Sequence, residues 1–306
     1  MNRPLGNPHP WPAPGKLNLF LHVVGRRADG YHELQTAFQF IDLSDSLRFF
    51  ERPAGVVDRL DAVSGVAADD DLVVRAARLL AAAAGRPVPG VAIGLEKRLP
   101  VGGGVGGGSS DAATVLVALN ELWNLGLPAA TLAGLGLTLG ADVPVFVFGH
   151  AAWAEGVGEQ LQPVDFPESD YVLVRPQVAV STAEVFKAPE LTRDSAITTI
   201  TGFLQAGGRN DFEPVVRRRY PEVAAALDWL AQYGTARLTG TGSSVFAAMP
   251  DAARARDVLA RLPREWQGWV TVGRNRSPLL ERLAHERTFD GMEAGGGADR
   301  HAGRTG

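Results

Sequence analysis

Pro100-Val101-Gly102-Gly103-Gly104-Val105-Gly106-Gly107-Gly108-Ser109-Ser110 packs six glycines into the seven residues 102–108. A short strand pattern at 91–95 precedes the run, and a strong helix pattern over 110–123 follows it. Glycine tolerates positive φ and lets another group approach the backbone. Several N–H groups can then point into one concavity, and the helix that follows adds the positive end of its dipole. Together these form an anion site suited to a triphosphate, with the Ser109 and Ser110 hydroxyls as further donors. An isolated glycine run is more often a flexible linker, but a linker rarely sits between an apolar strand and a strong helix without polar padding. Gly102, Gly104 and Gly107 formally satisfy G-x-G-x-x-G, yet Lys97, Arg98 and Pro100 separate them from the strand, and a dinucleotide fold runs its strand directly into the glycines. Gly108-Ser109-Ser110 lacks the lysine of a Walker A loop. The H-R-D and D-F-G segments of protein kinases do not occur.

Upstream of the loop, 16–24 alternates as a strand, with a turn at 28–30. Residues 37–43 and 46–50 read as two further strands about a turn at Ser44-Asp45, which predicts an early antiparallel sheet. The spacing predicts a helix over 71–84, capped by Asp70 or Asp71 and ended by Gly85 and Pro87. Downstream, a helix is expected over 128–139, and a hairpin from strands 143–148 and 151–155 through Gly149. Near 161–167 the composition turns to proline and acidic residues. The remainder reads strand 171–175, helix from Thr182, helices within 211–233, strands 236–239 and 244–249, helix 251–261 and strand 269–272. That α+β order is ferredoxin-like. Three parts are expected: 1–160 with the phosphate loop, 161–284, and a glycine-rich tail 285–306 without fixed structure.

The chain has 306 residues, long for one compact core, so two domains are the natural expectation. Hydrophobic content of 45% and charged content of 21% are ordinary for a globular protein. A net charge of −4 gives no reason to expect nucleic acid as a partner, and Arg217-Arg218-Arg219 reads as a solvated helix face. There is no cysteine, which excludes disulfides, thiolate metal sites and a cysteine nucleophile. No run approaches the roughly 18 apolar residues of a membrane span. The first fourteen residues carry five prolines and no apolar secretory core. A cytoplasmic protein without membrane partners is expected, as a monomer or weak homodimer.

Three motifs carry a resemblance. Residues 100–110 resemble the P-x-G-G-G-x-G-G-G-S-S loop of the GHMP kinases. Pro12-Ala13-Pro14-Gly15-Lys16-Leu17-Asn18-Leu19 is similar to their first motif. Leu238-Thr239-Gly240-Thr241-Gly242-Ser243-Ser244-Val245-Phe246 is similar to their third, a second glycine turn that buttresses the phosphate loop. Within that superfamily, Arg27-Ala28-Asp29-Gly30-Tyr31-His32 and Leu139-Gly140-Ala141-Asp142-Val143-Pro144 resemble the diphosphocytidyl-methylerythritol kinases. The similarity spans about 11–283. It implies a two-domain GHMP kinase fold, with an N-terminal ribosomal-protein-S5-like ATP domain and a ferredoxin-like C-terminal domain.

The resemblance also implies roles. ATP, with Mg²⁺, is expected on Pro100 to Ser110, and Ser110 is a candidate contact for the metal. Asp142 is implied as the general base and Lys16 as its partner. On the residues alone, Asp142 among apolar neighbours is a costly carboxylate unless paired, and Lys16 at a strand start is an available ammonium that would keep it ionised. Tyr31 and Phe186 are implied to flank the cytosine of a cytidine diphosphate alcohol, with His32 on its polar edge. Asn18, Val157 and Thr182 occupy further substrate-contacting positions. Gly15, Asp71 and Phe148 depart from the family pattern, where alanine, asparagine and arginine occur; alanine for Gly15 is expected to be tolerated. Competing readings are a GHMP kinase acting on a mevalonate- or homoserine-type alcohol, a non-catalytic nucleotide-binding module, and more distantly a dinucleotide-binding oxidoreductase.

Overall fold

The alternating run around Lys16 grows at both ends in a computed structural model, which describes residues 3–28, 30–60 and 69–296, with side chains through 288. Strand β1 spans Trp11–Arg26 and β2 spans His32–Arg52. They pair antiparallel from Trp11 against Leu47 to Arg26 against His32. The turn expected at 28–30 includes Asp29, which lies outside the described residues. There follow β3 (Val57–Arg59), α1 (Leu72–Ala83), β4 (Gly90–Glu96), α2 (Gly107–Leu122), α3 (Ala129–Leu137), α4 (Val143–Phe148), β5 (Ala152–Glu155) and β6 (Gln160–Pro163). The second half adds β7 (Asp170–Arg175), α5 (Thr182–Lys187), α6 (Ile200–Ala206), α7 (Glu213–Arg219), α8 (Pro221–Leu230), β8 (Arg237–Leu238), β9 (Val245–Met249), α9 (Ala252–Leu259), β10 (Gln267–Arg274) and α10 (Pro278–Gly296).

Four expectations are corrected. Ser44-Asp45 is not a turn, because β2 runs through it as one strand. The Asp45 carboxylate bonds the distant backbone N–H groups of Arg98 and Leu99 at 2.5 and 2.8 Å rather than its own neighbours. Residues 143–148 form helix α4, not a strand. Pro144 has no N–H to give a sheet but fits the first helical turn, where that donor has no partner anyway, and Gly149 closes the helix at φ 69°. Burial of Val143, Val145, Phe146 and Val147 beside α2 and α3 overrides their strand preference. The boundary at 160/161 cuts β6, whose partner is β5, so the first unit continues through Pro163. Finally, the chain past His285 is helical to Gly296. Glu286 holds it there by accepting from the Asn7 N–H at 3.1 Å and pairing with Arg282 at 2.6 Å; residues 297–306 lie outside the described ones.

One sheet runs through both halves in the order β3-β4-β2-β10-β7-β9-β8, with β1 and β5 also on β2. The ferredoxin-like expectation holds: β10-β7-β9-β8 neighbours are all antiparallel, with helices on the crossovers. The halves join where Gly273 and Arg274 of β10 meet Ile41 and Phe40 of β2. One core lies under α1 to α4 and includes Trp11, Leu80, Leu116 and Phe146. A second holds Val172, Phe212, Leu227 and Val245. A third fills the seam with Phe20, Trp153, Phe203 and Phe246. Helix α2 is buried without interruption from Ser110 to Asn120. Its N-terminus is thereby a rigid support for the loop before it.

Candidate active site

A cleft of about 1190 Å³ opens between the halves. That exceeds the roughly 300–1,000 Å³ of an ordinary single-ligand pocket, so there is room for two nucleotide-sized compounds. Every site residue expected from the sequence lines it except Val105 and Ser110. Val105 is fully buried, and its carbonyl accepts from the Lys16 N–H at 3.0 Å. Ser110 is fully buried, and its hydroxyl has no partner among the described residues.

The glycine-rich segment is shaped by backbone collisions that side chains would cause. At Gly104 (φ 75°) a Cβ would strike the Thr239 carbonyl oxygen and lie 2.9 Å from that of Gly242. At Gly106 (φ 74°) it would lie 2.8 Å from the Phe146 ring. Gly106 is also the N-cap of α2 and offers no side chain to the first-turn amides, which leaves those donors for a ligand. The helix begins three residues earlier than its pattern predicts, because Gly107 and Gly108 carry no local helix signal. The turn at 239–244 does buttress the loop: the Ser244 N–H bonds the Gly103 carbonyl at 3.2 Å, and the Thr239 hydroxyl donates to that of Gly104 at 3.3 Å.

Lys16 points from β1 into this junction. Its ammonium is 3% exposed and donates to Asn18 Oδ1 at 2.6 Å and to the Gly104 carbonyl at 3.1 Å. Asp142 Oδ2 lies 3.4 Å away, on a carboxylate that is 38% exposed. A buried ammonium needs such compensation. Asp142 is the N-cap residue of α4 but makes no capping bond, so its oxygens remain available to a molecule in the cleft. The pair therefore joins a buried ammonium to a carboxylate that is open to the cleft.

Aromatic side chains also line the cleft. Tyr31 is 64% exposed at the rim. Phe186 packs edge-on to Phe212 at 4.6 Å, and His32 lies 5.1 Å from it, centroid to centroid. Thr182 shares a 2.9 Å hydroxyl contact with Thr241 of the glycine turn. Val157 directs its N–H to Glu159 at 2.7 Å. Asn18 is 2% exposed, with Oδ1 accepting from Lys16 and Gly240 and Nδ2 donating to Thr36. It braces the pair from beneath.

Two charged clusters at the loop end have no counterpart in the sequence reading. Lys97 pairs with buried Asp45 and, at 2.7 Å, with Asp111. Burial pushes the Asp111 carboxyl up, to about 7, against the lowering effect of Lys97, and Asp45 adds to the rise. The two carboxylates outweigh burial at Lys97 and hold its ammonium above the ordinary value. Arg59 pairs with Asp71 at 2.5 Å, and Asp71 caps α1 through the Val73 N–H at 3.0 Å. Lys97, a few residues before the glycines, was the available hint; its acidic partners Asp45 and Asp111 lie outside its own stretch of chain.

The GHMP kinases N terminal domain model matches residues 71–150, and the GHMP kinases C terminal model matches 196–268. A relative from Nitrosococcus oceani, named 4-diphosphocytidyl-2-C-methyl-D-erythritol kinase, is 58% identical over 273 residues, 89% of this chain and 97% of its own. The chain belongs to the 4-diphosphocytidyl-2-C-methyl-D-erythritol kinase family of GHMP kinases. A solved structure of a 4-(cytidine 5'-diphospho)-2C-methyl-D-erythritol kinase superposes with a TM-score of 0.76 at 36% identity, covering 86% of this chain and 98% of that one. A mevalonate kinase structure shares the fold, with a TM-score of 0.66 at 16% identity. Against the family pattern, alanine at Gly15 would place a Cβ 2.9 Å from Leu99 Cδ2 and 3.0 Å from Ile41 Cδ1. These are the far ends of two movable side chains. Asp71 meets Arg59, as described, and Phe148 contacts His150 edge-on at 5.6 Å. Neither Asp71 nor Phe148 has a hydrogen bond, ion pair or ring contact with Lys16 or Asp142, and the nearest atoms to a Cβ at Gly15 belong to Leu99 and Ile41. No helix among the described residues is long and apolar enough to cross a membrane.

Proposed function

We propose that this chain, in the cytoplasm, transfers the terminal phosphoryl group of ATP to the 2-hydroxyl of 4-diphosphocytidyl-2-C-methyl-D-erythritol, on the non-mevalonate route to isoprenoid precursors. The observation that carries the reading is the Lys16–Asp142 pair, 3.4 Å apart in a cleft that the glycine loop and Tyr31, His32 and Phe186 also line. In this reading the loop amides and the N-terminus of α2 hold the triphosphate. Asp142 accepts the hydroxyl proton as the alcohol attacks. Lys16 stabilises the ionised carboxylate and offsets negative charge on the transferred group. The aromatic residues grip the cytidine diphosphate and so orient the alcohol.

Among the described residues no group of three His, Cys, Asp or Glu could hold a cation alone. The hard oxygens near the loop are the Ser109 and Ser110 hydroxyls and the Asp111 and Asp142 carboxylates, Asp111 being already paired with Lys97, which suits a Mg²⁺ carried mainly by the nucleotide's own phosphates. Such an ion would supply charge neutralisation for the transferred phosphoryl group. Ser110 remains a candidate contact because its buried hydroxyl is unpartnered.

A coupled ADP-release assay tests the reading with the cytidyl alcohol, mevalonate and homoserine as acceptors. Turnover is expected with the cytidyl alcohol, and Asp142→Asn is expected to lose about 10²–10⁴-fold in kcat while keeping ATP affinity. Preference for mevalonate or homoserine would overturn the substrate, and near-normal activity of Asp142→Asn would remove that residue from the mechanism.

A further inference from the structure

Behind His32 stands a residue with no role in the sequence reading. Arg193, between α5 and α6, directs its Nε–H to His32 Nε2 at 3.1 Å. The rest of the guanidinium is anchored to backbone: Nη2 bonds the carbonyls of Phe186 at 2.9 Å and Ala188 at 2.7 Å, and Nη1 bonds that of Leu191 at 3.0 Å. Arg193 thus ties together the stretch that carries Phe186, against whose ring His32 rests.

A guanidinium has donors and no acceptor, whereas a neutral imidazole has one of each. The nitrogen that faces Arg193 must therefore carry the lone pair, and Nδ1 must carry the hydrogen. A second proton would set N–H against N–H. In keeping with this, burial, then Arg193, then Arg26 of β1 hold His32 below its ordinary pKa. The ring keeps a single donor for whatever lies in the cleft.

We infer that Arg193 is a positioning residue that locks His32 as a neutral Nδ1–H donor, so that the site selects a pyrimidine with a lone pair at ring N3 over one with a hydrogen there. Cytosine presents that lone pair; uracil presents N3–H, which opposes the His32 donor. The selectivity rests on the proposed cytidyl substrate, but the tautomer does not.

Histidine ¹⁵N NMR of the substrate-free protein reads the tautomer directly, with His32→Gln identifying the His32 signals among the six histidines. Near neutral pH the wild type should be protonated at Nδ1, and Arg193→Met should shift toward the Nε2–H form. In kinetics, Arg193→Met should raise KM for the cytidyl alcohol about 10- to 100-fold, the loss of one oriented hydrogen bond. KM for ATP should stay within about twofold, because that site is not touched. Preference over the uridine counterpart should fall by about tenfold or more. Wild-type His32 protonated at Nε2 overturns the inference even if Arg193→Met does not fold. Unchanged preference over the uridine compound in a folded Arg193→Met overturns it as well. Failure of the wild type to use the cytidyl alcohol would instead sink the substrate reading, leaving the NMR result to decide the tautomer.

Discussion

Asp111 is a carboxylate 3% exposed, in a helix that is buried from Ser110 to Asn120. Its pKa near 7 in the folded chain compares with about 3.8 when exposed. Between those values the folded state binds the extra proton, so this group's contribution to stability falls as pH rises from about 4 to about 7 and is level above that. Asp111→Asn should remove that slope. Urea midpoints for variant and wild type at several pH values should show the variant gaining relative to the wild type across that window; a constant gap would mean that Asp111 is ionised in the fold throughout. Lys97 keeps Asp45 as a partner in the variant, so the ammonium is not left bare. The same scale separates what the chain announces from what it conceals. Lys16 and Asp142 stood out because each sits in a motif. Arg193 sits in no motif and shows no local pattern; its meaning comes from a ring nitrogen remote in the chain.

The loop and its following helix behave as one element. Positive φ at Gly104 costs a side-chain-bearing residue about 1 kcal/mol or more, and the Thr239 carbonyl blocks the space where a Cβ would go. Gly104→Ala should therefore raise KM for ATP at least about tenfold while changing KM for the cytidyl alcohol little, since strain of about 1–3 kcal/mol would fall on the loop and on the Lys16 ammonium that its carbonyl holds, not on the aromatic residues. Gly134→Ala is the matching control: it lies in α3 with nothing within 4 Å of a Cβ, and it should be neutral or stabilising by about 0.5–1 kcal/mol. Equal kinetic effects of the two variants would deny the loop its special geometry. Element type was legible wherever local rules agree, as in α1, where the periodicity, the Asp71 cap and Gly85 all concur. It was misread at α4, where β-branched residues favour a strand and only packing beside α2 and α3 makes a helix.

The two halves are joined by a sheet and by an aromatic seam. Phe20 stacks on Phe203 at 4.7 Å and lies 4.9 Å from Trp153, while Phe246 of the second half closes the same cluster. Phe20→Ala should cost about 3–5 kcal/mol. The wild type should unfold in a single transition, with circular dichroism and the fluorescence of its six tryptophans coinciding. Two separated transitions would show that the seam does not couple the halves. The type of elements such as α1 and α2, the ferredoxin-like second half and the glycine-dense turn before α2 were determined by the sequence by itself, because glycine conformation, helix caps and hydrophobic periodicity act over a few residues. The meeting of Asp142 with Lys16, of Arg193 with His32 and of Asp45 with Lys97 was decided only by the tertiary structure. Which charges and donors face one another across a cleft depends on how distant segments pack, and no short stretch of chain encodes it.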